Sequence, residues 1–89
     1  MNIVIAQHAG GPKHYIFSVP NDRTLRKDDI IQVQTNRGVT IATCVCDSFD
    51  APTELVNTLL YTYGGKIPLA PVLGHYTYDQ WLARIPKGL

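Results

Sequence analysis

The sequence predicts an α+β fold, a small antiparallel, strongly bent sheet or partial barrel of four to five strands with two C-terminal helices. Three observations predict it. Residues 1–47 contain short segments in which apolar and polar side chains alternate with period two, and glycine- or proline-rich turns separate them. Residues 48–89 instead carry apolar side chains at helical spacing, interrupted by prolines. With 89 residues, the chain is expected to be one domain, β-rich in residues 1–47 and covered by residues 48–89.

The composition excludes several protein classes. With 45% hydrophobic and 17% charged residues, the chain is neither disordered nor fibrous. No apolar run approaches the roughly 18 residues needed to cross a membrane. The segment Met1–Gln7 has no basic leader and is too short for the apolar core of a signal peptide, so a cytoplasmic location is expected. A net charge of +1 gives no general attraction for nucleic acid or lipid.

Two strands are predicted before residue 20. Asn2–Gln7 is apolar and rich in β-branched residues, and it ends at a loop, His8–Pro12, whose two glycines break regular structure. His14–Val19 alternates until Pro20 stops it. One side of this second strand carries Tyr15, Phe17 and Val19, and the other carries His14, Ile16 and Ser18.

The stretch Leu25–Cys46 is predicted to form a β-hairpin. If residues 36–38 make a three-residue loop with Gly38 in the left-handed region, Thr35 lies opposite Val39. A two-residue loop would mix apolar and polar side chains on each face, so the longer loop is expected. The predicted inward face comprises Ile31, Val33, Val39, Ile41 and Val45, and the other face comprises Gln32, Gln34, Thr40, Ala42, Cys44 and Cys46.

The same hairpin carries a resemblance to a known fold. The motif begins with Leu25, a polar pair and an acidic residue. It continues along the chain with Val33, Thr35 and Gly38, and Ala42 comes after them. Residues 25–45 thereby resemble the hairpin of Src homology 3-like small barrels, such as the bacterial polymerase-suppressor C-terminal domain. Only packing and turn positions match, so the resemblance implies a fold and no functional residue. Asp28 stands where those barrels usually have glycine. The whole chain is similar in appearance to small proteins of Gram-positive bacteria and their phages.

A first helix is predicted after residue 50. Asp50 is expected to cap it, and Gly64-Gly65 to end it. Its apolar face comprises Leu55, Val56, Leu59, Leu60 and Tyr63. The next stretch, Ile67–Gly74, is apolar but contains two prolines, so an extended edge or covering segment is predicted there.

A second, short helix is predicted near the C-terminus. Thr77–Gln80 fits a capping box, with Tyr76 and Trp81 at the positions of a hydrophobic staple. Apolar side chains follow at helical spacing until the stop at Pro86 and Gly88: Tyr78, Trp81, Leu82 and Ile85. A helix of about two turns does not persist alone in water, so it must pack against the barrel, the longer helix or a partner. We favour the interpretation that Trp81 packs in the core of the domain. The alternative is that Trp81 contacts a partner protein or another copy in an oligomer.

Candidate metal ligands are present but scattered: His8, His14, His75, Cys44 and Cys46. A zinc site needs three or four converging ligands, usually in recurring close pairs, and this chain offers one C-x-C. We therefore expect no metal and no cofactor. The two cysteines are interpreted as reduced small residues packed against the helix, and the histidines as solvated residues at loop ends.

No catalytic motif is recognised, so the chain is not expected to be an enzyme. Gly10-Gly11-Pro12 is too short for a phosphate loop and lacks its lysine-threonine tail, so it is interpreted as a hairpin loop. Asp28 and Asp29 are adjacent, and adjacent strand residues point to opposite faces, which argues against paired-carboxylate chemistry. These two aspartates are interpreted as solvated or as capping a turn.

Two functions are weighed. The preferred one is a non-catalytic module that makes protein–protein contacts, including with its own copies, through Gln32, Gln34 and Thr40 and through Tyr76, Tyr78 and Trp81. The alternative is a small barrel that binds single-stranded nucleic acid by stacking bases within a basic groove. Its candidate contacts are Tyr15, Phe17, Arg23, Arg26, Lys27 and Arg37. Three acids lie among those bases, and the two aromatic residues suit a core equally well.

Overall fold

The protein is described here by a computed structural model that covers residues 1–63 and 69–84. In these ranges the chain forms six strands and two helices, which confirms the predicted α+β class. They are β1 (Asn2–His8), β2 (His14–Ser18), β3 (Ile30–Thr35), β4 (Gly38–Cys44), β5 (Phe49–Asp50), α1 (Thr53–Tyr63), β6 (Val72–Tyr76) and α2 (Tyr78–Ala83). The described residues do not include the positions expected to end the two helices, which are Gly64-Gly65, Pro86 and Gly88. They also do not include Ile67, Pro68 and Ile85.

The strands form one bent antiparallel sheet with the order β2-β1-β4-β3-β6, and β5 pairs with the start of β1. The sheet does not close, although an isolated bridge between Ser18 and Pro71 joins its two ends. The four predicted strands are confirmed, and β6 lies at an edge, as the prolines predict. β5 is not predicted, because two residues show no periodicity. Neither described helix is long and apolar enough to span a membrane.

The β3–β4 hairpin differs from its predicted register by one residue. Thr35 lies opposite Gly38, and Val33 lies opposite Thr40, so the loop has two residues and not three. The prediction of a left-handed glycine is confirmed, since φ is +95° at Gly38. The Thr35 hydroxyl accepts a hydrogen bond from the Arg37 amide (3.2 Å) and donates one to the Gly38 carbonyl (3.1 Å). These bonds close the shorter turn.

This shift reverses the faces of β4. The inner face of the hairpin carries Ile31, Val33, Thr40, Ala42 and Cys44, and the opposite face carries Gln32, Gln34, Val39 and Ile41. The predicted inward orientation of Val39 and Ile41 is therefore wrong, because these side chains are 58% and 37% exposed. A narrow, bent sheet favours small side chains across from large ones, and the buried Ala42 and Cys44 meet that requirement.

The sheet buries apolar side chains on both faces. The inner cluster fills the bend with Val4, Ala6, Phe17, Val19, Leu25, Ile31, Val33, Ala42, Cys44 and Val72. The cluster on the other side includes Ile3, Ile16, Ala51, Val56 and Leu69, with side chains of α1 packed against it. Because α1 packs on the β1 and β2 side of the sheet, it leaves the same side of β4 and β3 with exposed aliphatic residues.

The start of α1 also differs from the prediction. Asp50 does not cap the helix, since it lies in β5 and its Oδ1 accepts a hydrogen bond from the Met1 amino group (2.9 Å). The helix begins at Thr53, and the Val56 amide donates to the Pro52 carbonyl (3.0 Å). The apolar face is confirmed by buried Val56 and by the partly buried Leu59, Leu60 and Tyr63, whereas Leu55 is exposed.

The start of α2 follows the prediction, but its packing does not. The Thr77 hydroxyl accepts from the Gln80 amide (3.2 Å), and the Gln80 side chain accepts from the Thr77 amide (2.9 Å), which confirms the capping box. Tyr76 and Trp81 meet with ring centroids 5.9 Å apart. No residue of α2 is buried, however. The expectation that Trp81 lies in the core is wrong, because a six-residue helix beside an edge strand reaches no other layer.

Candidate functional site

One end of the bent sheet opens into a cleft, which we call the loop cleft. It has a volume of about 1120 Å³ and is open to solvent. Residues 8–13, from the end of β1 and the β1–β2 loop, line one side, and residues 34–37 of the β3–β4 turn line another. Tyr15, Phe17 and Thr40 also line it. The cleft therefore combines two turns that are far apart in the sequence.

Hydrogen bonds fix the β1–β2 loop that borders the cleft. The Gln7 side chain donates to the Gly11 carbonyl (2.7 Å), and the Gly11 amide donates to the His8 carbonyl (3.1 Å). Gly10 has a φ of +77°, a backbone conformation that favours glycine. The predicted hairpin loop is confirmed, since β1 and β2 pair directly on either side of it.

Aromatic rings meet inside the loop cleft. The His8 ring meets the Tyr15 ring in a T-shaped arrangement with centroids 5.2 Å apart, and it meets the Phe17 ring in the same way at 5.8 Å. The prediction that Tyr15 and Phe17 share a strand face is confirmed, since both contact the inner cluster. Phe17 is only 4% exposed, so it supports the site and offers no free ring face. Tyr15 is partly exposed and is the ring available for stacking.

Two cationic side chains line the loop cleft, Lys13 from the β1–β2 loop and Arg37 from the β3–β4 turn. Among the described residues that line it, none is an aspartate or a glutamate. The cleft is therefore locally positive although the whole chain carries only +1. Lys13 and His8 are not among the predicted nucleic-acid contacts, and the β1–β4 pairing brings them beside Arg37.

The other predicted basic contacts lie away from this cleft. The Arg23 guanidinium donates to His75 Nδ1, with Nη1 2.6 Å away, so His75 is an acceptor and not a freely solvated side chain. Arg26 and Lys27 are exposed in the turn before β3, where the Lys27 amide donates to the Asp47 carboxylate (2.8 Å). The structure thus gathers Tyr15, Phe17 and Arg37 of the predicted set and separates Arg23, Arg26 and Lys27 from them.

Thr40 lines the loop cleft, but its hydroxyl does not open into it. Its hydroxyl is buried and has no hydrogen-bond partner in the described part of the chain. Sequence analysis grouped Thr40 with Gln32 and Gln34, but the register places it on the opposite face of the hairpin. An unpaired buried hydroxyl costs free energy, so Thr40 is a site where the fold carries a small penalty.

Three of the predicted protein-contact residues, Gln32, Gln34 and Tyr76, lie on a second surface, which we call the outer face. It is the side of β4, β3 and β6 that faces away from the inner cluster, and it carries Gln32, Gln34, Val39, Ile41, Gly74 and Tyr76. A Cβ at Gly74 would lie 3.0 Å from Gln32 Oε1, so glycine lets the Gln32 side chain extend over β6. At one end of this face, Arg84 lies over the Tyr76 ring (4.5 Å) and near Trp81 (5.5 Å).

Cys44 and Asp29 both occupy positions within the folded framework. Cys44 lies in the inner cluster, so its predicted packing against the helix is wrong. Burial, and secondarily the Asp29 charge, raises the pKa of the Cys44 thiol to about 12. The Asp29 carboxylate accepts from the Arg26 amide (3.0 Å), which confirms its role in capping a turn.

Across residues 1–63 and 69–84, no group of three or more histidine, cysteine, aspartate or glutamate side chains is arranged to hold a metal ion. Both cysteines are free. The described residues thus offer a positive, partly aromatic cleft and an outer face with exposed aliphatic side chains. Comparisons with protein-family models, with curated proteins and with solved structures found no match to this chain.

Proposed function

We propose that this protein binds single-stranded nucleic acid in the loop cleft. One observation carries the proposal: Lys13 and Arg37 line a cleft that also contains the accessible ring of Tyr15, and no described carboxylate lines it. Cations that contact phosphates, together with an aromatic ring that stacks on a base, are the usual means of holding a single strand. A duplex hides its base faces, so it could not use Tyr15 in this way.

The size of the loop cleft favours an extended ligand. Small-molecule pockets usually measure about 300–1,000 Å³ and enclose most of the ligand. This cleft, at about 1120 Å³, exceeds that range and is open to solvent. A strand that passes through it would meet the side-chain amides of Gln34 and Asn36. Two cations give modest affinity with little dependence on base sequence.

We also propose that the bent sheet is a Src homology 3-like barrel that has not closed. Two left-handed positions in the β3–β4 region support this relationship. Gly38 matches the glycine of that hairpin pattern, and Asp28, with a φ of +76°, occupies the place where glycine is usual. The bridge between Ser18 and Pro71, which joins the two ends of the sheet, is a further argument for a barrel.

The direct test measures binding of a fluorescently labelled single-stranded oligonucleotide by anisotropy. Loss of one base–aromatic stack costs about 1–3 kcal/mol, so Tyr15→Leu should weaken binding roughly 5- to 150-fold. Tyr61→Leu is the matched control, because Tyr61 is 94% exposed on α1 and lies outside the cleft. Thermal melting of both variants establishes that each is folded.

Two results would reject the proposal. One is the absence of binding by the wild-type protein at low salt, where electrostatic attraction is strongest. The other is equal loss of affinity in folded Tyr15→Leu and Tyr61→Leu, since a non-specific surface would respond equally to both changes. A fluorescent duplex of the same sequence completes the experiment, and we expect it to bind more weakly than the single strand.

A second candidate function is protein contact through the outer face. The observation that favours it is the exposure of Val39 (58%) and Ile41 (37%) side by side with Gln32 and Gln34, on a side of the sheet that α1 does not cover. Adjacent aliphatic side chains of this kind commonly mark an interaction surface. Gln34 and Ile41 also line the loop cleft, so the two candidate functions share part of the hairpin.

A further inference from the structure

His8 is a titratable side chain of the loop cleft that the proposed binding of nucleic acid does not use. It ends β1 and is partly buried among the residues that line the cleft. No second histidine lines the cleft among the described residues. Histidine is the side chain whose charge ordinarily changes between about pH 5 and pH 8. One residue can therefore change the charge of the cleft within that range.

The contacts of His8 leave one ring nitrogen to take up the proton. Its Nδ1 lies 3.4 Å from the Ile41 carbonyl oxygen, and a carbonyl can only accept, so Nδ1 carries the hydrogen in this contact. Nε2 is then the acceptor of the neutral ring, and protonation turns it into a second donor. The T-shaped contact with Tyr15 holds the imidazole beside the ring that is proposed to stack on a base. A donor gained there lies close to the backbone of the stacked nucleotide.

The charges around His8 couple its protonation to an anionic ligand. The charged or titratable side chains that share the cleft with it are Lys13 of the β1–β2 loop, Tyr15 of β2 and Arg37 of the β3–β4 turn. From β4, the Ile41 carbonyl contacts His8, and none of the described lining residues of that strand titrates. Two cations oppose a third positive charge in the free cleft, and a bound phosphate removes that opposition.

We propose that protonated His8 is a third phosphate contact in the loop cleft, so that the protein binds single-stranded nucleic acid more tightly as the pH falls. The inference rests on the proposed function, and it adds a contact and a regulation to the same site. Because a phosphate favours the protonated imidazole, binding takes up a proton, and by reciprocity the proton favours binding. A hydrogen bond from a charged donor to a phosphate is also stronger than one from a neutral donor.

Oligonucleotide anisotropy at about pH 8 and about pH 5.5 tests the inference. The probe is an oligothymidine without a terminal phosphate, labelled with a rhodamine dye, because none of its groups titrates between these values. The dissociation constant of the wild type should fall at least about threefold from the higher to the lower pH. The slope of the logarithm of affinity against the logarithm of salt should steepen from about −1.4 to about −2.1, since each phosphate contact contributes about −0.7.

His8→Gln should bring the ratio of the two dissociation constants close to one, because glutamine is polar and does not titrate. The ratio is the readout, so a uniform loss of affinity through altered packing does not imitate this result. His14→Gln is the matched control, because it removes a histidine that lies outside the described lining of the cleft, with its ring centroid 6.0 Å from that of Tyr63. This control should keep the ratio of the wild type. Thermal melting at both pH values establishes that each variant is folded.

The outcomes separate this inference from the proposed function. Wild-type binding of equal strength and equal salt slope at the two pH values overturns the inference and leaves the proposed function in place. A wild-type ratio in folded His8→Gln does the same. The salt slope needs no variant, so it decides the matter even if His8→Gln does not fold. If the wild type binds the oligothymidine at neither pH, both proposals fail.

Discussion

Val33 lies directly opposite Thr40 across the β3–β4 hairpin, and both side chains belong to the inner face of the sheet. This pairing determines which hairpin residues line the loop cleft and which lie on the outer face. It places Thr40 at the loop cleft, with its hydroxyl buried and unpaired among the described residues. It also directs the neighbours of Thr40 in sequence, Val39 and Ile41, to the outer face.

Replacing Thr40 tests whether its hydroxyl serves a ligand. Thr40→Val exchanges an unpaired buried hydroxyl for a methyl group, so the free energy of unfolding should stay unchanged or rise by up to about 1 kcal/mol. Oligonucleotide affinity should stay unchanged, because the hydroxyl is buried and a ligand in the cleft cannot reach it. Urea denaturation and anisotropy measure the two effects, and Thr43→Val on the outer face is the control. A clear loss of stability would show that the hydroxyl already has a protein partner.

Asp28 holds a backbone conformation that favours glycine. Its φ is +76°, and its amide donates to the Cys44 carbonyl (2.9 Å), so the turn before β3 depends on this geometry. Asp28→Gly should raise the free energy of unfolding by about 0.5 kcal/mol, because relief of the left-handed strain exceeds the added entropy of the unfolded chain. Asp28→Ala should lower it. Equal stability of the two variants in urea denaturation would contradict the assigned backbone conformation.

Gly38, in the β3–β4 turn, is a glycine that already occupies a left-handed backbone position. Its φ is +95°, and an added Cβ would meet no atom within 4 Å, so backbone strain is the only steric penalty. Gly38→Ala should therefore lower the free energy of unfolding by about 1 kcal/mol. The measurement is the urea denaturation midpoint at constant slope. An unchanged midpoint would mean that the turn can adopt another conformation without cost.

The fold class and the strand positions were predictable, but the hairpin register was not. A run of β-branched residues located Asn2–Gln7 and alternation located His14–Val19, because both are local properties of the sequence. The register was predicted on the assumption that every aliphatic side chain of the hairpin points inward. That assumption fails where one face stays uncovered, since Val39 and Ile41 then remain exposed on the outer face.

The loop cleft was only partly predictable for a topological reason. Tyr15 and Arg37 were candidates from the sequence, but no sequence pattern indicated that β1 lies next to β4. The pair Ala6 and Cys44 joins those strands across 38 residues and brings the β1–β2 loop beside the β3–β4 turn. Lys13 enters the site only through that long-range pairing, so local reasoning could not find it.

The pH dependence of stability should carry a contribution from Cys44. Burial raises the pKa of this thiol from 9.0 to about 12, so the folded protein keeps the proton while the unfolded chain releases it. This contribution is fully present below about pH 9 and is lost as the pH rises toward about 12. Cys44→Ala should show a smaller loss of stability across that window in urea denaturation. Parallel profiles for the variant and the wild type would contradict the assigned burial of the thiol.

The salt dependence of oligonucleotide binding tests the central claim, the cationic loop cleft, most directly. Two phosphate contacts to a single strand predict a slope of about −1.4 for the logarithm of affinity against the logarithm of salt, between about 20 and 200 mM. Lys13→Ala combined with Arg37→Ala should bring the slope close to zero. Arg26→Ala combined with Lys27→Ala removes the same charge outside the cleft and should preserve it. The opposite pattern, with the slope lost only in the Arg26 and Lys27 pair, would contradict the account.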